Sequence, residues 1–201
     1  MPGKILLSTA YFPPAEYFFR ILNADKIFIE REENYIKQTY RNRCYILASG
    51  GVLPLTVPVY LGSFHKTPVK DIRIDYTKRW QLVHIRALKA AYASSPFFIF
   101  YFEEIEKILL SGHEFLLDLN MELLLATMKM MNINRKVSYT NEFQSVNNLT
   151  EDTRYNITPK TKSSYSPKAY MRVFDYSIEN TGKLSILDLL FNTGPEAVGY
   201  L

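Results

Sequence analysis

The first thirty residues constrain the fold most. Lys4 to Thr9 is a short apolar run that ends in small polar residues, as a strand does. Pro13-Pro14 follows, and proline suits the first turn of a helix, where its missing N–H leaves nothing unpaired. Ala15 to Asn23 then carries apolar side chains at Tyr17, Phe18, Ile21 and Leu22, the spacing of one helix face. Lys26 to Glu30 is a second run, with Ile27-Phe28-Ile29 at its centre. Strand, helix and strand in so short a stretch make a βαβ unit, and the crossover helix returns the second strand parallel to the first. A parallel pair at the start commits the chain to an α/β architecture.

The later pattern fills this frame. Tyr35 to Ala48 reads as extended, Gly50-Gly51 as a hairpin turn and Val52 to Tyr60 as the returning partner. Pro54 and Pro58 confine that partner to an edge or break it locally. Ile72 to Asp75 reads as a short strand. Asp75 or Thr77 is expected to cap a helix reaching Tyr92, and Pro96 opens another from Phe97 to Leu110, which Gly112 ends. Glu114 to Met131 holds six leucines and several methionines and is expected to be the central packing helix. Lys136 to Thr140 and Tyr170 to Tyr176 read as strands, and Ser185 to Phe191 as a helix capped by Ser185. The expected fold is mixed α/β: a short βαβ-like start, a central partly parallel sheet with a hairpin, and three consecutive helices packed on it. Residues 1–201 are expected to form one domain, with a long polar loop at about 141–168.

Composition sets outer limits. A chain of 23.4 kDa buries about 70% of its extended surface, so a core forms without staples. The single cysteine, Cys44, excludes an internal disulfide framework and a Cys-rich zinc site, and fits a reducing compartment. Neither a secretory signal nor a membrane-length apolar run is visible, so a cytoplasmic location is expected. A net charge of +4 is modest for a nucleic-acid binder, and nucleic acid is not the expected partner.

Residues that can carry chemistry concentrate in Tyr35-Ile36-Lys37-Gln38-Thr39-Tyr40-Arg41-Asn42-Arg43. On a strand, Lys37, Thr39, Arg41 and Arg43 share one face, and such a row suits phosphate or carboxylate; a helix would still bring Lys37 and Arg41 together at i, i+4. The competing reading is a solvated cationic edge. The histidines are His65, His84 and His113, and none pairs at metal-ligand spacing, so neither metal nor cofactor is expected. His84 lies four residues after Trp80 on one helix face. It is a candidate general base, against the plainer reading of a satisfied core histidine. No GxxxxGK, GxGxxG or GxSxG pattern occurs, and Cys44 has no base beside it in sequence. Asp152-Thr153-Arg154 with Pro159-Lys160 lies in the polar loop, as a lid over a site or as a surface salt bridge.

These residues resemble the WbqC-like family. The resemblance rests on Leu7-Ser8-Thr9-Ala10-Tyr11-Phe12-Pro13-Pro14 with Glu16-Tyr17-Phe18, on Tyr35-x-Lys37-x-Thr39-Tyr40-Arg41-Asn42-Arg43, and on Leu55-Thr56-Val57-Pro58-Val59. Trp80-x-x-x-His84, Tyr92 and Ser95-Pro96-Phe97 continue it, and the tail from Leu184 to Phe191 with Gly194-Pro195-Glu196 resembles a Bacteroides-type subgroup. The resemblance implies a bacterial protein of surface polysaccharide (O-antigen, lipopolysaccharide) biosynthesis. It implies a transferase passing an acyl or aminoacyl group to an activated amino sugar, with a non-catalytic accessory protein as the alternative. On that implication Tyr35, Lys37, Tyr40, Arg41, Asn42, Arg43 and Trp80 contact an anionic donor such as a nucleotide sugar, and His84 acts as base. Many family members carry His-Gln-Pro where this chain has Ser8-Thr9-Ala10.

Overall fold

The computed structural model describes residues 3–60, 66–145, 150–160, 163, 165–174 and 181–201. The βαβ start forms as expected: β1 (Gly3–Ser8), α1 (Ala15–Leu22) and β2 (Ala24–Glu30), with β1 and β2 parallel and Leu6 opposite Phe28. Then come β3 (Arg43–Ala48) and β4 (Gly51–Thr56), α2 (Trp80–Tyr92), α3 (Phe98–Leu110) and α4 (Leu116–Met130), β5 (Val137–Tyr139), β6 (Thr150–Asp152), α5 (Ile186–Thr193) and α6 (Ala197–Tyr200). The main sheet has the order β5-β2-β1-β6 with every pair parallel, and β3 and β4 form a separate antiparallel hairpin.

The alternation of side chains decides what each face of the main sheet meets. Ile5 and Leu7 on β1 and Ile27 and Ile29 on β2 belong to the core that all six helices help to build. Full burial of such a side chain contributes about 1.5–3 kcal/mol. α4 buries most of its circumference, including Leu116, Leu119, Leu123 and Met128, and is the central packing helix its composition implies. Ser185 caps α5, its Oγ accepting from Leu187 N at 3.2 Å. At the other end of α5, Gly194 stands at φ +60 with no room for a Cβ against the Phe97 ring.

The opposite, outer face carries Lys4, Leu6 and Ser8 in register with Lys26, Phe28 and Glu30. Leu6 and Phe28 are absent from the helix-lined core. Parallel sheets are normally covered by helices on both faces, so a face with no helix against it among the described residues is a departure that calls for a reason.

Several expected elements differ. Of Tyr35 to Ala48 only Arg43–Ala48 is a strand. Residues 37–42 form successive turns, and Gln38 sits at φ +58, which breaks any strand geometry. Lys37, Thr39, Arg41 and Arg43 therefore do not share a strand face. Ile72 to Asp75 makes only isolated bridges, Val59 to Ile74 and Arg73 to Phe115. α2 begins at Trp80 behind Arg79 with no side-chain cap, although Asp75 Oδ1 does accept from Thr77 N at 2.8 Å. The polar stretch 141–168 contains β6. Residues 170–174 form no strand, and Asp175 and Tyr176 lie outside the described residues.

Candidate functional site

The chain runs from β1 to β2 and on to β5 in one direction, then returns to place β6 on the other side of β1. The strand order therefore reverses between β1 and β6, and parallel α/β sheets bind ligands outside the carboxyl ends of their strands at such a point. Four strand ends converge there: Ser8 of β1, Glu30 of β2, Thr140 after β5 and Asp152 of β6.

Two buried arginines organise this edge. Arg41 grips Glu33 as a fork, Nε to Oε1 at 3.0 Å and Nη2 to Oε2 at 2.6 Å. Arg154 donates Nη1 to Glu30 Oε2 at 3.0 Å and Nη2 to Asp152 Oδ2 at 2.6 Å. Its guanidinium also lies against the Phe143 and Tyr155 rings at 4.9 and 5.6 Å. Ser8 joins the two systems: its Oγ accepts from Arg41 Nη2 at 2.8 Å and donates to Arg154 O at 2.9 Å. Glu30 accepts further from Thr140 Oγ1 at 2.7 Å and Gln144 N at 2.9 Å, which fastens the segment after β5 to the end of β2. Behind them Asn120 donates to Thr9 Oγ1 at 3.1 Å and Arg41 O at 2.8 Å. Burial works to raise the Asp152 pKa, but the Arg154 bonds and charge outweigh it and hold the carboxyl below its ordinary range. On the connection out of β1, Phe12 is buried at φ +41, a conformation that bulky residues rarely adopt.

The crevice between β1 and β6, lined by Arg41 and Arg154 among others, holds only about 10 Å³ of free space. Open space lies beside it. A cavity of about 270 Å³ sits on the outer face of the sheet, floored by Leu6 and Phe28 and walled by Tyr139, Gln144, Glu142 and Asp152, with Lys4 at its far end. The uncovered face is thus roofed by the segment after β5.

The structure distributes the residues singled out from sequence. Arg41 and Tyr40 reach the switch point. Lys37 is exposed on a turn. Arg43 donates Nε to Thr56 Oγ1 at 2.9 Å, Asn42 is buried and donates to Val57 O at 2.8 Å, and Tyr35 is half-buried. Trp80 and His84 stack edge to face in the core at 5.1 Å. His84 Nδ1 meets the Tyr11 hydroxyl at 2.8 Å, and its ring also bonds the Thr56 backbone. Burial lowers its pKa to about 4, so the imidazole is neutral at physiological pH. Cys44 is buried and its pKa raised by burial, an unreactive thiol. The Asp152–Arg154 pair, read as a lid or a surface bridge, is neither: Arg154 is 3% exposed and ties strand ends together. Sequence reasoning missed Ser8, Glu30 and Glu33 as members of this site. The available signal was a carboxylate in the last position of an apolar strand, Ile27-Phe28-Ile29-Glu30. Among the described residues no group of three or more His, Cys, Asp or Glu side chains stands together as a metal would require. No helix among them is long and apolar enough to cross a membrane.

Fold and edge together define an α/β protein with a parallel sheet and a switch-point charge network. The sequence profile of the WbqC-like protein family matches residues 9–175, and the chain belongs to that family. It is also 30% identical over 228 residues to the uncharacterized protein Rv1507c of Mycobacterium tuberculosis, a match covering 100% of this chain and 98% of the relative. No solved structure matches the chain.

Proposed function

We propose that this protein is a transferase of surface polysaccharide biosynthesis that binds an activated amino sugar on the outer face of its parallel sheet and acylates or aminoacylates it. The observation that carries the reading is the cavity beside the β1/β6 switch point, on a sheet face that no helix covers among the described residues. Its walls combine two aromatic rings with amide, hydroxyl and carboxylate groups, the mixture that recognises a sugar's ring face and hydroxyls. Arg41 and Arg154 act here as positioning residues, since each is already engaged by carboxylates. A nucleotide-sugar substrate and a buried free cysteine both fit a cytoplasmic site of action.

A second reading, a non-catalytic accessory protein of the same pathway, is favoured by Ile99 and Phe100 on α3, which are 80% and 72% exposed. A thermal-shift screen against nucleotide sugars and free amino sugars separates the two. A ligand at ten times its Kd adds about 1.4 kcal/mol, which is roughly 3–6 °C for a chain of this size. A shift of that order with a nucleotide amino sugar is expected. A flat response across the whole panel would remove the transferase reading and leave the accessory one.

A further inference from the structure

We propose that the outer-face cavity holds one sugar ring of a nucleoside diphosphate sugar in a single orientation, its phosphates toward Lys4 and Lys26 and an amino group toward Glu142 and Asp152. This deepens the sugar-binding reading and rests on it. Size comes first. About 270 Å³ lies below the roughly 300–1,000 Å³ of ordinary small-molecule sites. One ring fits, and the nucleotide must then lie outside.

Polarity along the strands sets the direction. Lys4 and Lys26 are cross-strand partners on the outer face at the amino end of β1 and β2, and both are exposed. Like charges side by side on a sheet repel, and among the described residues neither lysine has a carboxylate partner. An anion lying between them relieves that repulsion. One rung further along, Leu6 and Phe28 form an apolar floor suited to the face of a ring. Asp152, whose carboxyl is held ionised, is the partner of Leu6 on β6 and flanks that floor, and the exposed Glu142 follows the carboxyl end of β5. Successive same-face rungs are about 6.6 Å apart at 3.3 Å per residue. The lysine pair and the rung that carries the floor and Asp152 are therefore about one sugar ring apart. The arginines at the edge do not reverse this polarity, because their two guanidiniums face three carboxylates, Glu33, Glu30 and Asp152.

The test uses the intact protein with three probes: UDP-glucosamine, UDP-glucose and free glucosamine. Binding is followed by calorimetry and, for the weaker free sugar, by saturation-transfer NMR. The Lys4→Ala/Lys26→Ala variant is expected to weaken both UDP sugars about fivefold and leave glucosamine unchanged. That loss should vanish in 1 M salt. Glu142→Gln is expected to weaken glucosamine and UDP-glucosamine and leave UDP-glucose unchanged. All three positions are exposed, so the variants fold. UDP sugars that bind with no response to either variant would overturn the orientation and leave the sugar-binding reading standing. Absence of binding by all three probes would overturn both.

Discussion

His84 shows how one residue's surroundings fix its chemistry. Burial lowers its pKa from 6.5 to about 4, so the unfolded chain takes up a proton at a pH where the native chain does not. The neutral imidazole's contribution to stability is complete above pH 6.5 and is lost as pH falls toward 4. That contribution is roughly 3 kcal/mol. Urea midpoints measured from pH 7.5 to 4.5 should fall, with NMR showing a ring that stays neutral down to about pH 5, and a His84→Asn variant should flatten the slope above pH 5. Cys44 is the second such case. Its thiol should resist a thiol reagent in native buffer and react at once in denaturant, so that its labelling rate reports opening of the fold; fast native labelling would show that β3 is not packed as described. Arg41 was legible as an important cation, but its partner was not. Glu33 lies eight residues upstream, and only the turns of residues 37–42 bring the two together.

At the scale of elements, the sequence was most readable where apolar periodicity is strong. The run Ile27-Phe28-Ile29 and the leucines of α4 declare a strand and a helix by pattern alone. β6 could not be read in this way. Thr150-Glu151-Asp152 has no apolar alternation, and it is a strand because β1 offers it an edge. Arg154 secures that addition. Replacing it by Met leaves Glu30 buried with its countercharge gone, at a cost of about 3–5 kcal/mol. The double variant Glu30→Gln/Arg154→Met should cost less than the sum of the two single changes; strict additivity in urea unfolding would show that the two do not act as a pair. Gly194→Ala tests another junction. A positive φ and the Phe97 ring both oppose a Cβ, so a loss of at least about 2 kcal/mol is expected. Calorimetry should record this as a fall in Tm of roughly 4–8 °C.

Over the whole molecule, the α/β class followed from the first thirty residues, because a crossover helix leaves the second strand only the parallel direction. The site was less legible, because its members come from strand ends far apart in the chain and meet only through topology. That separation has a consequence for the making of the protein. Ser8 and Arg154, the two halves of the switch-point edge, are 146 positions apart. A ribosome adding about 5–20 residues per second needs roughly 7–30 s to supply the second half after the first has emerged. During that interval the outer edge of β1 is an open template for pairing. A nascent chain halted before β6 should therefore bind holdase chaperones, and release should coincide with emergence of Arg154.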